Sequence, residues 1–152
     1  MTEYYLKKIS PISNEALELT NKLYLEMEAI YPKSMLENFV EENSLMKIFI
    51  AAYGGNKMAV AGGALKHISS NTVEVKRMYV LKEFRGRGIS KLILSELEKI
   101  AKELYYKRII LETGTLQPEA ISLYRKYGYS ETPCFGRHAD DPTSVCFEKF
   151  IC

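Results

Sequence analysis

Thr72–Leu94 reads TVEVKRMYVLKEFRGRGISKLIL. The first ten residues are rich in β-branched and aromatic side chains and predict a strand. The last few open an apolar run with helical spacing. Between them FRGRGISK, Phe84 to Lys91, has to turn a strand into a helix. Three readings of that turn are open on these residues. Glycine supplies backbone angles that other residues avoid, so a purely structural turn is one. The second is an anion site. Gly86 and Gly88 let backbone N–H groups converge, the helix N-terminus adds about half a positive charge, and Arg85 and Arg87 add full ones. The third, a basic patch for nucleic acid, has little support. Phe84 is its one aromatic, and no broader basic run surrounds it. The usual nucleotide motifs fail as well. GxxxxGK[ST] is absent, and GxGxxG would need glycine where the chain has Lys91.

Working outward, Ile89, Leu92, Ile93, Leu97, Ile100, Ala101 and Leu104 form one apolar stripe of an amphipathic helix. RIILET, Arg108 to Thr113, is a short strand of the buried type. QPEAISLYRKYG follows, with Pro118 near its start and Gly128 past its end, the usual asymmetry of a helix. SVCFEKFI, Ser144 to Ile151, is a final strand, and the long loop from Thr132 to Thr143 has no assignable structure. Loops of that length are often functional.

Upstream, Tyr4 to Ser10 predicts a strand. A helix then carries Ile12, Ala16, Leu19, Leu23, Met27 and Ile30 on one face. Its start is open between Ser10 with Pro11 and Ser13 as N-cap, the latter with Ile12 and Leu17 as a hydrophobic staple. A short second helix is expected from Lys33 to Glu41. Met46–Tyr53 and Met58–Ile68 read as the arms of a hairpin, with Gly62-Gly63 marking a bulge or close backbone approach. The order β, α, α, β, β, β, α, β, α, β, β is mixed α/β with an antiparallel first half. The strand–helix–strand unit from Thr72 to Thr113 should make one parallel pair.

The chain has 152 residues, which suits one domain spanning 1–152. A net charge of +2 lacks the excess usual for a nucleic-acid-binding domain, so none is expected as partner. No apolar run reaches the roughly 20 residues of a membrane helix, and MTEYYLKKIS lacks a signal peptide's apolar segment. The expectation is a cytoplasmic protein without a membrane partner. Cys134, Cys146 and Cys152 are odd in number without CxxC spacing, which fits reduced thiols better than a disulfide framework. His67 and His138 join no ligand cluster, so no metal is expected.

Two motifs then meet. In VKRMYVLKEFRGRGISKLIL, Arg85, Gly88 and Ser90 take the places of the [QR]xxGx[GA] signature. That segment resembles the acyl-CoA-binding motif of the GNAT superfamily of N-acyltransferases. Ser90 departs from the usual Gly or Ala. LETGTLQPEAISLYRKYGY resembles the family's other motif, NxxAxxxYxxxGF, with Gln117, Ala120, Tyr124, Gly128 and Tyr129 in the key places. Gln stands for Asn and Tyr for Phe. The order of elements also resembles that family's from end to end.

The resemblance implies a GNAT-like fold: a central, mostly antiparallel mixed sheet of about seven strands with a splayed parallel pair, flanked by about four helices. It implies acetyl-CoA as cosubstrate and direct transfer to an amine. Pantetheine would lie in the splay, pairing with backbone at Met78, Tyr79 and Val80 as an extra strand does. The turn Arg85, Gly86, Arg87, Gly88, Ile89 and Ser90 would hold the pyrophosphate. Gln117, Ala120 and Tyr124, on one helix face, would line the groove. Tyr124 would protonate the departing thiolate, and Glu74, on the central strand, would take the amine's proton; its structural alternative is a cross-strand partner for a lysine. Tyr31, Thr113, Phe135, Arg137 and His138 are candidate acceptor-site residues. Arg137 would suit a carboxylate, which favours an amino-acid-like amine. Peptide or protein amines, aminoglycosides, polyamines and a non-catalytic acyl-CoA sensor are the alternatives. The residues do not decide for or against a homodimer.

Overall fold

The computed structural model describes residues 3–33, 36 and 38–151. β1 (Tyr5–Ile9) is followed by α1 (Asn14–Glu28) and the short α2 (Phe39–Glu42). β2 (Ile48–Tyr53), β3 (Ala59–His67) and β4 (Thr72–Val80) make an antiparallel meander. Then come α3 (Ile89–Glu103), β5 (Arg108–Gly114), α4 (Pro118–Lys126), β6 (Ser130–Thr132) and β7 (Ser144–Phe150). The seven strands form one sheet in the order β1-β2-β3-β4-β5-β7-β6. Among the described residues β4 and β5 are the one parallel pair, as a strand–helix–strand crossover requires.

Local sequence explains most boundaries. Ser13 caps α1, its hydroxyl accepting from the Ala16 amide at 3.3 Å, which settles the open start in its favour. Ile12 is 61% exposed, so no staple forms there. On α3, Ile89, Ile93, Leu97, Ile100 and Ala101 are buried as the stripe predicts. Leu94 is buried too, while Leu92 and Leu104 face out. Of the expected second helix, Lys33 to Glu41, the structure shows α2, Phe39–Glu42, at its C-terminal end, and positions 34, 35 and 37 lie outside the described residues.

Gly62 and Gly63 show both features expected of them. The β3–β4 register shifts between Gly62 and Ala64. A Cβ on Gly63 would come within 2.7 Å of both Ile93 on α3 and Met78 on β4. Glycine thus lets α3 lie hard against the sheet.

Opposite that shift, Arg77 adopts φ +63°, a left-handed conformation. Its buried guanidinium has named partners. Nε donates to Asn43 Oδ1 at 2.9 Å, a terminal nitrogen donates to the Phe39 carbonyl at 3.1 Å, and the Phe39 ring lies 4.6 Å away. Asn43 is fully buried and donates to the Pro11 carbonyl and Thr20 Oγ1. This network ties the bulge of β4 to α1 and α2.

One expectation is corrected. Cys134 and Cys146 are joined in a disulfide, with Cα atoms 5.1 Å apart. The β6–β7 register sets Thr132 opposite Cys146, which brings Cys134 alongside it. A sequence separation of 12 hides this in the sequence.

Candidate active site

β4 and β5 pair over three positions, Thr72↔Arg108, Val73↔Ile109 and Glu74↔Ile110. Beyond Glu74 and Ile110 no further pairing joins them, and the strands part. A cavity of about 690 Å³ opens in the gap. Both sequence motifs reach it: Arg85, Gly86, Gly88, Ile89 and Ser90 from one side, Gln117, Ala120 and Tyr124 from the other. Met78, Tyr79 and Val80 line the β4 wall.

The turn before α3 has the geometry its sequence demands. Gly86 and Gly88 take φ +80° and +79°, where a side chain would be strained. A Cβ at either would meet nothing within 4 Å, so conformation, not crowding, requires glycine. Gly88 caps α3 without a side-chain hydrogen bond, which leaves the first-turn amides of a 15-residue helix facing the opening.

The two arginines are differently placed. Arg85 Nε donates to the Val80 carbonyl at 2.8 Å, and its terminal nitrogen pairs with Glu26 at 2.7 Å. It lies over the Tyr79 ring at 5.4 Å. Arg85 therefore braces the turn against β4 and α1. Arg87 is not part of the cavity wall. It donates to Tyr4 Oη and the Glu83 carbonyl.

On the α4 side, Gln117 Oε1 accepts from the Gly114 amide at 3.1 Å, closing the end of β5. Tyr124 is buried beside Tyr129 and Phe147. Burial, with the nearby Glu112 carboxylate, pushes the Tyr124 phenol well above its ordinary range, so it stays protonated at neutral pH. Glu74 is buried on β4 with Lys76 Nζ at 3.7 Å, two residues along the same strand.

Of the acceptor-site candidates, Tyr31, Thr113 and His138 line the cavity, whereas Phe135 and Arg137 do not. Phe135 packs edge-on against His138 at 6.3 Å, and Arg137 is exposed on the same turn. Tyr31 Oη accepts from the Leu116 amide at 3.2 Å and rests on Gly114, fastening the segment after α1 to the end of β5. The structure adds Glu112 and Asp141, which sequence reasoning missed. Glu112 interrupts an apolar strand, and a carboxylate in such a run was the available signal. Asp141 is held by the Thr143 amide and hydroxyl, which keep its carboxyl below the usual range. Among the described residues, no group of three or more His, Cys, Asp or Glu could hold a metal ion. Nor is any helix long and apolar enough to cross a membrane.

A cleft between two parting parallel strands, faced by an uncapped glycine turn and a tyrosine helix, defines an acyltransferase of the GNAT type. The Acetyltransferase (GNAT) family matches residues 13–129, and the chain belongs to that family. It is 28% identical to the IAA acetyltransferase of Azospirillum brasilense over 98% of this chain and 99% of that one. A Klebsiella pneumoniae structure assigned as an acyl-CoA N-acyltransferase is 29% identical, with a TM-score of 0.84 and 98% of each chain covered. The PaiA N-acetyltransferase of Thermoplasma acidophilum, solved in complex with coenzyme A, shares the fold. Its TM-score is 0.76 at 20% identity, over 97% of this chain and 99% of that one. The protein is an N-acetyltransferase.

Proposed function

We propose that this chain moves the acetyl group of acetyl-CoA directly to the amine of a small molecule. The observation that carries this reading is that both motifs line the same cavity, at the point where β4 and β5 part. Pantetheine fits the parted strands, with Met78–Val80 offering backbone groups. The pyrophosphate fits the amides at Gly88–Ser90. A backbone N–H near Val80 stabilises the tetrahedral oxyanion.

An alkyl ammonium, near pKa 10.4 when unperturbed, must lose a proton before attack. Glu74 is the proposed acceptor of that proton and Tyr124 the proposed donor to the thiolate. Glu74→Gln should then lower kcat most where the carboxylate is ionised and the amine is still an ammonium, and should remove the rise in rate that ionisation of the base produces; an unaltered profile removes Glu74 from the role.

The full-length likeness to a protein named for acetylating IAA supports a small-molecule acceptor. Lys76, on the same wall as Glu74, is a cation able to meet the carboxylate of an amino-acid-like amine. The experiment is CoA release from acetyl-CoA offered with amino acids, polyamines, aminoglycosides and peptides. Turnover confined to the small carboxylated amines is expected. Acetyl-CoA binding without turnover across the whole panel would replace this reading with an acyl-CoA sensor.

A further inference from the structure

The two faces of the sheet are divided between its helices. A Cβ on Gly62 would meet Leu19 of α1, and one on Gly63 would meet Ile93 and Leu97 of α3. Successive strand residues point to opposite faces, so α1 and α3 cover opposite sides of β3. The glycine turn opens α3, so the cosubstrate, as proposed, is held from the α3 side of the parted strands. The other side lies under α1. Leu19 sits against Gly62 of β3, Glu26 pairs with Arg85 on the turn after β4, and Tyr31 rests on Gly114 at the end of β5. The helix and the residue pair after it thus pass from β3 to the end of β5, over the gap.

That stretch presents hydrocarbon to the cavity. Met27 of α1, Ile30 after it and Phe39 of α2 all line the cavity, as does Leu116 from the turn after β5. The hydrogen bond from the Leu116 amide to Tyr31 Oη ties the segments of Ile30 and Leu116 together. Ile30 is 39% exposed and Leu116 58%, although both are large and apolar. One such residue on a surface means little. Two of them in a cavity, with the buried Met27 and the half-buried Phe39, form a concave apolar patch of the kind that a ligand covers. Phe39 is held in place by Tyr24, edge-on at 5.5 Å, and by the Arg77 guanidinium. Glu26, the charged residue that α1 adds to the lining, is turned to Arg85.

We propose that this patch receives a large apolar group, aromatic or branched aliphatic, carried by the acceptor amine. The proposal rests on the acetyl-transfer reading and adds to it the chemical class of the acceptor. The transfer itself is unaltered: the amine nitrogen bonds to the acetyl carbon, the carbon–sulfur bond breaks, and the thiolate takes a proton. Preference comes from covering the exposed hydrocarbon of Ile30 and Leu116, which removes apolar surface from water on both partners. A polyamine or an aminoglycoside would instead set ammonium or hydroxyl groups against that hydrocarbon and lose their hydration without a partner.

The test compares amines that differ by one phenyl group, alanine with phenylalanine and ethylamine with phenethylamine, by CoA release from acetyl-CoA. The phenyl-bearing member of a pair should have the higher kcat/KM, by about tenfold or more. Ile30→Ser and Leu116→Ser alter exposed side chains, and thermal unfolding should show both variants folded. Each should cut the ratio within a pair by about fivefold. The acetyl-CoA KM should stay within about twofold of the parent's. A parent ratio near one, or a ratio that neither substitution moves, overturns the proposal and leaves acetyl transfer standing. Turnover of other amines of the panel but of neither pair does the same. So does a changed preference between acetyl-CoA and hexanoyl-CoA with the amine ratio unmoved, which would assign the patch to the acyl chain. A parent that turns over no amine at all overturns both readings.

Discussion

Gly114 shows how much one missing side chain can decide. A Cβ there would lie 1.7 Å from Tyr31 Oη, so Tyr31 can sit on the end of β5 only because residue 114 is glycine. Gly114→Ala should expel the phenol, cost about 1–3 kcal/mol as overpacking does, and raise the acceptor KM; urea denaturation and steady-state kinetics check both. Tyr124 carries a sharper expectation. Tyr124→Phe removes the proposed general acid and should lower kcat by about 10²–10⁴, with the acetyl-CoA KM nearly unchanged. Burial and Glu112 raise the phenol's pKa above its ordinary value of 10, so the group is protonated throughout the neutral range. The parent-to-variant kcat ratio should therefore stay level from about pH 7 to 10; a ratio that falls over that span means that Tyr124 ionises within it. Tyr124 was legible because it stands at a motif position. Glu112 was not, because strand periodicity says which side of a sheet a residue faces and nothing about which loop returns to meet it.

At the level of elements, periodicity located α1 and α3 well, since each buries an apolar face. Helix α3 matched its stripe except that Leu94 is buried where Leu92 was expected, a matter of how the helix is rotated against the sheet, and that Leu104, just past its end, faces out. The β6–β7 loop was opaque. Its one turn of 3₁₀ helix, Gly136–His138, owes its place to the pairing of β6 with β7 and to the disulfide, both long-range facts. That bond has two expected consequences. Denatured, unreduced protein should show one thiol among its three cysteines. Cys134→Ser should lower stability by about 3 kcal/mol, as for loops of this size, and loosen the wall carrying His138. Three titratable thiols before reduction would show the bond unformed and remove that constraint.

The whole molecule follows from two partial signatures and an order of elements. The glycine turn alone was compatible with any strand-to-helix corner, and the tyrosine helix alone with any packed aromatic. Their convergence on one cleft is what the fold contributes, by crossing α3 over the sheet and setting β5 beside β4. The proposed acceptor pocket was less legible because its walls come from α1, β5 and the β6–β7 loop, which are distant in sequence. Arg137 illustrates the limit: its charge suggested a role, and its exposed position on the turn keeps it off the cavity wall. The parting of β4 and β5 has a further consequence, which is thermodynamic. With acetyl-CoA in the parted strands as proposed, the cosubstrate binds where the sheet lacks cohesion, so ligand concentration and folding free energy are linked. At a hundredfold excess over Kd, acetyl-CoA should add about 2.7 kcal/mol to the native state, a rise of several degrees in Tm for a chain of about this length. Free amine should add far less. A Tm indifferent to saturating acetyl-CoA would mean that the cleft is not where the cosubstrate binds. The persistence of the folded protein would in this way track the supply of activated acetyl groups.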